Sequence, residues 1–423
     1  MNLLMMTNTY LPHIGGVANS VDLYTRQMRK LGHCVVVVAP HFEGEPKSEQ
    51  DVIRFPALQQ IKGSDFSMIY PLPGFLDAKL KDFKPDIVHS HHPFFLGSIA
   101  VRISSKYNVP LVFTQHTMYE HYTHYTPSIP RMKPFLINLV TGYANLANLV
   151  IAPSKSIADI IRNYGVKVPI EVIPTGVDTE KFRIGDGQKI RKQMNIPENA
   201  FVTGYTGRIE PEKNMVFLAS AVAKFLHQND NAHFLIVGYG TMDEQLIELF
   251  NSEDLENRIH FTGKMTGQEL VDAYHAMDVF VFASKTETQG IVLAEAMAAG
   301  AAVVAIESPG VREVVENGIN GFLINDENVE LFADTLLKMS RLPDENKQDL
   351  KIAAKNTAEE FNISNFTAKI ADVYERLIKL KNTNFVRDES AWRNAVEQIK
   401  AEWNLLTNFT SSVSDALAHG NPK

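Results

Sequence analysis

The sequence predicts an α/β protein of two parallel-sheet domains, the second doubly wound. Three observations carry this. Short runs of β-branched and aromatic residues alternate with helical stretches along most of the chain. The alternation breaks once, after Pro174-Thr175-Gly176-Val177-Asp178, and restarts at Phe201. And 423 residues are more than one ordinary core supports.

The totals narrow the function. A composition of 45% hydrophobic and 21% charged residues is that of a globular protein, and a net charge of −8 argues against a general nucleic-acid binder. Cys34 is the single cysteine. It cannot form an internal disulfide, and beside the apolar run Val35–Val38 it is expected to be a buried strand residue in a reducing compartment. The N-terminus lacks the positive start of a secretory signal. Phe135–Ile151 comes closest to an uninterrupted apolar span, but Asn138, Asn145 and Asn148 break it. A cytoplasmic protein that can touch a membrane without spanning it is the expectation.

The first half opens as a βαβ unit. Leu3–Thr7 reads as a strand, Val17–Leu31 as a helix stopped by Gly32, and Cys34–Ala39 as a second strand. Between the first two lies Gly15-Gly16, which either lets a phosphate or sugar approach the backbone or simply supplies a flexible turn. No Gly-x-Gly-x-x-Gly fingerprint stands here, so a nicotinamide cofactor is not expected. Val52–Phe55, Asp86–His89 and Leu111–Thr114 read as strands, with a helix at Leu96–Lys106. Two strand ends run into histidine-rich loops, His89-Ser90-His91-His92 and Gln115–Tyr125. Without a His-Glu-x-x-His pattern or a cysteine partner, these suit a cleft wall for hydroxyls better than a metal, with surface or core residues that meet no ligand as the alternative. Arg131–Leu149 has an apolar face (Phe135, Leu136, Leu139, Val140, Tyr143, Leu146, Ala147) that serves either its own sheet or a lipid headgroup layer. Strands at Leu149–Ala152 and Ile170–Ile173 flank a helix, Ser154–Tyr164. The polar stretch from Thr179 to about Asn199 marks the boundary.

The second half has strands at Val202–Tyr205, Phe234–Val237, Ile259–Phe261, Val279–Phe282, Ala302–Ala305 and Gly321–Ile324, with helices between them. Helical patterns at Val329–Ser340, Asn346–Glu360 and Ser364–Leu380 follow. A tail from about Asp388 carries Trp392 and Trp403 on one helical face, which either packs on the protein or meets a membrane interface.

Four strand-end loops of this half converge, because parallel strands deliver them to one sheet edge. They are Gly207–Asn214, Gly238-Tyr239-Gly240, Thr262–Met265 and Glu287–Glu295. Arg208 and Lys213 suit a diphosphate, the first as a fork and the second as a point charge. The helix beginning near Ile291 offers free N–H groups and a positive dipole end. A departing diphosphate gains negative charge, which fixed cations stabilise.

These motifs resemble the retaining glycosyltransferases of family 4, which have the GT-B fold. The resemblance rests on Gly15-Gly16, Ile173-Pro174-Thr175-Gly176-Val177-Asp178, Gly207-Arg208 with Lys213, and Glu287-x7-Glu295, and covers about residues 1–381. It implies an acceptor-side domain over 1–180, a nucleotide-sugar domain over 181–381, C-terminal helices that return to the first domain, and a helical tail over 382–423. It implies a donor diphosphate held by Arg208 and Lys213, with the loop at Gly238 and backbone donors at Gly290, Ile291, Val292 and Leu293. Glu287 would bind sugar hydroxyls, Glu295 the ribose, and Lys264 and Met265 would flank the base. Gly16 and His116 would reach across from the first domain, and His116, Glu287, Arg208 and Lys213 would form the catalytic group. His91, His116, Tyr119, His121 and Tyr125 would face the acceptor. The nucleotide sugar is a substrate, so no cofactor is implied. No Asp-x-Asp pair occurs, in keeping with the metal independence usual in the family. The run His116–Tyr125 resembles the branch of bacterial diacylglycerol glucosyltransferases, implying glucose moved from UDP-glucose to a membrane lipid by a peripheral protein at the inner face of the membrane. A soluble sugar, sugar phosphate or small alcohol is the alternative acceptor. The sequence leaves the oligomeric state open.

Overall fold

The computed structural model describes residues 1–13, 15–58, 68–69, 74–121 and 132–384. The first domain contains β1 (Asn2–Met6), β2 (Cys34–Pro40), β3 (Val52–Phe55), β4 (Ala57–Leu58), β5 (Met68–Ile69), β6 (Ile87–Ser90), β7 (Leu111–Thr114), β8 (Leu149–Ala152) and β9 (Ile170–Val172). Seven of these form a parallel sheet in the order β3-β2-β1-β6-β7-β8-β9, and β4 and β5 make a small antiparallel pair. The second domain contains β10 (Phe201–Thr206), β11 (Ala232–Val237), β12 (Ile259–Gly263), β13 (Val279–Phe282), β14 (Ala302–Ile306) and β15 (Gly321–Ile324), ordered β12-β11-β10-β13-β14-β15. The architecture is the two-domain GT-B arrangement.

The strands are apolar on both faces because helices cover both. In β1, Leu4 and Met6 join one core while Leu3 and Met5 join the other, following the two-residue period of a strand. The strand orders place one topological switch point between β1 and β6 and another between β10 and β13. Crevices open at such points beyond the carboxyl ends of the strands.

The chain crosses between domains twice, and the crossings touch. Val177 N–H donates to the Phe361 carbonyl at 2.8 Å, and Ile363 N–H donates to the Val177 carbonyl at 2.9 Å. A Cβ on Gly176 would lie 2.6 Å from Ile363 Cα, so only glycine permits this approach. The helix Ile363–Asn384 then returns to the first domain. Phe366, Ile370, Val373, Tyr374 and Leu377 pack into the core that holds Leu3, Met5, Val21 and Tyr24.

Several expectations change. Cys34 is exposed, not buried, because it begins β2 at the amino edge of the sheet, ahead of the buried valines. The helix expected over Arg131–Leu149 runs only Met132–Ala144, with Val140 and Tyr143 buried and Phe135, Leu136 and Leu139 half-buried. The polar stretch at the boundary folds into two short helices, Thr179–Arg183 and Gly187–Gln193, capped by the side chains of Asp178 and Asp186. Arg191 in the second is buried. It donates to the carbonyls of Ala276, Glu198 and Ala200 and to Asp278 Oδ2 at 2.8–3.1 Å. The tryptophan-bearing tail lies outside the described residues. Among the described residues no helix is long and apolar enough to cross a membrane.

Arg191→Met would strand those acceptors in the interior. It should destabilise the second domain by on the order of 3 kcal/mol, read as a lowered urea midpoint. Arg183→Ala, at a side chain 53% exposed, should change stability by less than about 0.5 kcal/mol.

Candidate active site

The carboxyl edges of the two sheets face each other. Thr288 Oγ1, after β13, donates to the His116 carbonyl, after β7, at 3.0 Å. The Gln289 side chain pairs twice with the Thr175 backbone: Oε1 accepts from Thr175 N–H and Nε2 donates to its carbonyl, both at 2.7 Å. Glu313 accepts from the N–H groups of Lys155 and Ser156 at 2.7 and 2.5 Å, so a carboxylate of the second domain caps a helix of the first.

On the second-domain side, β10 feeds Gly207-Arg208 and then a short 3₁₀ turn, Pro211–Lys213. Arg208 pairs with Glu212 at 2.5 Å, and the Lys213 ammonium lies 2.5 Å from Glu287 Oε1. Lys213 and Glu287 come from the two loops at the β10/β13 switch point. Burial pushes the Glu287 carboxyl up, but the Lys213 charge and hydrogen bonds from Lys213 and Ser284 outweigh it and hold it below its ordinary value. Gly238 builds the wall. Its φ is +145°, and a Cβ there would fall 1.8 Å from the Gly207 carbonyl oxygen, so the loops after β10 and β11 pack backbone on backbone. Lys264 is exposed and Met265 half-buried, both just beyond β12.

The helix Ile291–Ala298 starts at Gly290, whose φ of +69° turns the chain from strand edge to helix without a side-chain cap. The first N–H groups of a helix have no intrahelical partner, which leaves those of Ile291 and Val292 as donors. Leu293 differs from expectation. It is fully buried, and its N–H already donates to the Gly290 carbonyl at 2.9 Å. One turn on, Glu295 Oε2 accepts from the Tyr274 hydroxyl at 2.8 Å. Burial raises the Glu295 carboxyl, and the Tyr274 hydrogen bond opposes this.

On the first-domain side, Gly16 opens the helix Gly16–Lys30 with no side-chain cap and no acid in its first turn. It is exposed, and a Cβ there would meet nothing within 4 Å. His116 is half-buried, with Nε2 at 3.0 Å from His91 Nδ1. Burial pushes His116 down to about 3, so it stands neutral.

The structure divides the expected acceptor-side residues. His91 is 1% exposed and turned into the core, so it cannot face an acceptor. Tyr119 is half-buried edge-on against the Phe94 ring. The His121 side chain and Tyr125 lie outside the described residues. Sequence reasoning missed Thr175, Thr288, Gln289, Tyr274 and Glu313. Thr288 and Gln289 stood inside the Glu287–Glu295 motif, but nothing in the spacing reveals partners in another domain.

Chemically, the cleft offers two cations and two uncapped helix starts to a polyanion, and carboxylates and a neutral imidazole to hydroxyls. Among the described residues no group of three or more His, Cys, Asp or Glu side chains is placed to hold a metal ion.

Known proteins share this arrangement. Residues 186–357 match the family described as Glycosyl transferases group 1, and residues 14–181 match Glycosyltransferase Family 4. The chain is 28% identical over 397 residues to the alpha-monoglucosyldiacylglycerol synthase of Streptococcus pneumoniae, covering 92% of this chain and 88% of that one. It is 30% identical over 309 residues to a D-inositol 3-phosphate glycosyltransferase of Streptomyces bingchenggensis, covering 70% of this chain and 67% of that one. Among solved structures, Anabaena Alr3699/HepE in complex with UDP and glucose superposes with a TM-score of 0.73 at 21% identity, over 89% of this chain and 100% of that one. With the facing sheets and the matched halves together, the chain belongs to the family 4 glycosyltransferases of GT-B fold.

Proposed function

We propose that this glycosyltransferase moves glucose from UDP-glucose, with retention at the anomeric carbon, to a membrane lipid of the diacylglycerol type. The observation that carries the donor half is the β10/β13 switch point, where Arg208, Lys213 and the start of the Ile291–Ala298 helix lie together. Arg208 and Lys213 hold the diphosphate and take up its growing charge as the sugar–oxygen bond breaks, the part a metal plays in other transferases. Gly16 brings a second helix start to the phosphates. Glu287 accepts from sugar hydroxyls and also orients Lys213. Glu295 takes the ribose, with one carboxylate oxygen already fixed by Tyr274.

No carboxylate serves as the nucleophile. Glu287 is tied to Lys213, unlike the paired carboxylates of retaining glycosidases. The acceptor hydroxyl attacks from the face the diphosphate leaves. Its oxygen forms the new glycosidic bond, the bond to the phosphate oxygen breaks, and the acceptor proton passes to the departing diphosphate. Closure of the cleft keeps water from the donor.

Similarity to the pneumococcal synthase over nearly the whole of both chains supports the lipid acceptor and a peripheral site at the inner membrane face. The half-buried apolar residues of the Met132–Ala144 helix agree with it. A second reading, the same donor chemistry on a soluble sugar phosphate, is favoured by similarity to the inositol-phosphate enzyme. Mass spectrometry separates them. The protein is incubated with UDP-glucose, UDP-galactose or GDP-mannose, each with diacylglycerol-containing liposomes or soluble sugar phosphates. A hexosyl-diacylglycerol product from UDP-glucose is expected, and a product confined to the soluble pool would replace the lipid reading.

Two further outcomes are expected in that assay. Arg208→Ala or Lys213→Ala lowers turnover on the order of 10²-fold or more, and less than a threefold loss in both would remove the diphosphate assignment. Activity survives EDTA, whereas loss restored by added Mg²⁺ would show that the two cations do not suffice.

A further inference from the structure

The buried histidines behind His116 carry an inference that rests on the proposed function, with His116 taken to meet a hydroxyl of the donor sugar. His91 Nδ1 lies 3.0 Å from His116 Nε2, and His91 Nε2 is buried without a hydrogen-bond partner. Desolvation pushes both rings well below their ordinary value, and neighbouring histidines push His91 further. Two neutral imidazoles sharing one hydrogen bond leave two arrangements. In the first, His116 donates from Nε2, and His91 must carry its own hydrogen on the orphaned Nε2. In the second, His91 donates from Nδ1, and its orphaned Nε2 is only a bare lone pair. By analogy with the backbone, where orphaned buried N–H groups are rarer than under-used carbonyls, the second arrangement is favoured.

We propose that His91 is a positioning residue that donates from Nδ1 to Nε2 of His116 and fixes His116 as the tautomer with its hydrogen on Nδ1. His116 then meets a ligand as a hydrogen-bond donor, suited to a hydroxyl oxygen of the donor sugar, and not as a base. The surroundings hold His91 for this task. Its ring lies against His89 at 4.1 Å and Tyr24 at 5.5 Å between centroids. His89 is itself pinned by the Tyr374 hydroxyl at 2.6 Å and the Thr114 hydroxyl at 2.7 Å. Tyr374 belongs to the helix that returns from the second domain, so the packing that closes the fold also aligns the imidazoles. The His116 backbone is fixed from the other side by Thr288. This ordering assigns His91 a role that its burial otherwise leaves unexplained.

The test uses the full chain labelled with ¹⁵N at its 14 histidines. Imidazole ¹⁵N shifts distinguish the two tautomers, and His116→Gln assigns the His116 signals by their loss. The expected result is a protonated Nδ1 and a bare Nε2 on His116, with His91 protonated at Nδ1. A hydrogen on His116 Nε2 overturns the proposal, and this readout needs no variant of His91 to fold. In turnover, His91→Leu should lower kcat about tenfold or more while UDP affinity stays within about threefold. His91→Asn, whose side-chain N–H stands near the place of Nδ1–H, should recover most of the loss. Equal impairment of the Leu and Asn variants, both with wild-type circular dichroism and Tm, also overturns it. If the tautomer is as expected but no hexose is transferred to any acceptor, the functional reading fails and the positioning role stands.

Discussion

The double hydrogen bond between the Gln289 side chain and the Thr175 backbone joins three parts of the molecule. Gln289 is 6% exposed and Thr175 4%, so both bonds are shielded from water. Gln289 belongs to the turn that carries Glu287 and Gly290. Thr175 lies just before the paired chain crossings, and its hydroxyl is 3.1 Å from that of Ser20, on the helix that Gly16 opens. The Glu287–Gly290 turn, the crossing and the helix that Gly16 opens therefore form one hydrogen-bonded unit. Separating the domains would expose or strand these groups, at a cost of about 1 to 3 kcal/mol for each buried group left unpaired. The two domains are thus joined by polar contacts of modest strength.

Much of the fold was legible because it obeys local periodicities. The strands Leu111–Thr114, Val279–Phe282 and Gly321–Ile324 are largely apolar runs with turn signals at their ends, and they stand where those signals put them. Arg208, Lys213 and Glu287 were legible because parallel strands deliver consecutive loops to one edge. What escaped depends on long-range partners. The stretch from Thr179 reads as a polar boundary, yet Arg191 finds its acceptors about 85 residues away, at Ala276 and Asp278. The same limit misplaced His91, since a histidine at a strand's end looks like a cleft residue until its stacking partners are known. Cys34 shows the reverse error: a residue beside a buried run takes its exposure from its position at the sheet edge, not from its neighbours in sequence.

The charges at the β10/β13 switch point are arranged to be available and ordered at once. Left alone, Arg208 and Lys213 would repel one another and sample many rotamers. Glu212 and Glu287 tether each cation within one loop cluster. Cations oriented in this way lose less side-chain entropy when they meet an anion. The tether is also a limit. Burial raises the Glu287 carboxyl, and the Lys213 charge and hydrogen bond more than offset this. Substitution of either changes more than one contact, and losses at the two positions are not expected to add.

Helix starts complete the electrostatics, and they differ in a telling way. The helix Lys155–Asn163 ends at the cleft with its own Ser154 cap and, in addition, the Glu313 carboxylate from the opposite domain. The helices that begin at Gly16 and Ile291 have no side-chain cap. Each start carries the positive end of its helix dipole. One is filled by a carboxylate that the protein supplies, and that contact helps to hold the domains together. The other two adjoin the switch points, and Arg208 and Lys213 stand beside the second. A ligand that is negative at one end and rich in hydroxyls at the other matches that division, since His116, Glu287 and Glu295 line the same cleft as neutral or acidic groups. One helix terminus is thus filled by a carboxylate from the other domain, and two stand without a side-chain cap beyond the carboxyl ends of their strands.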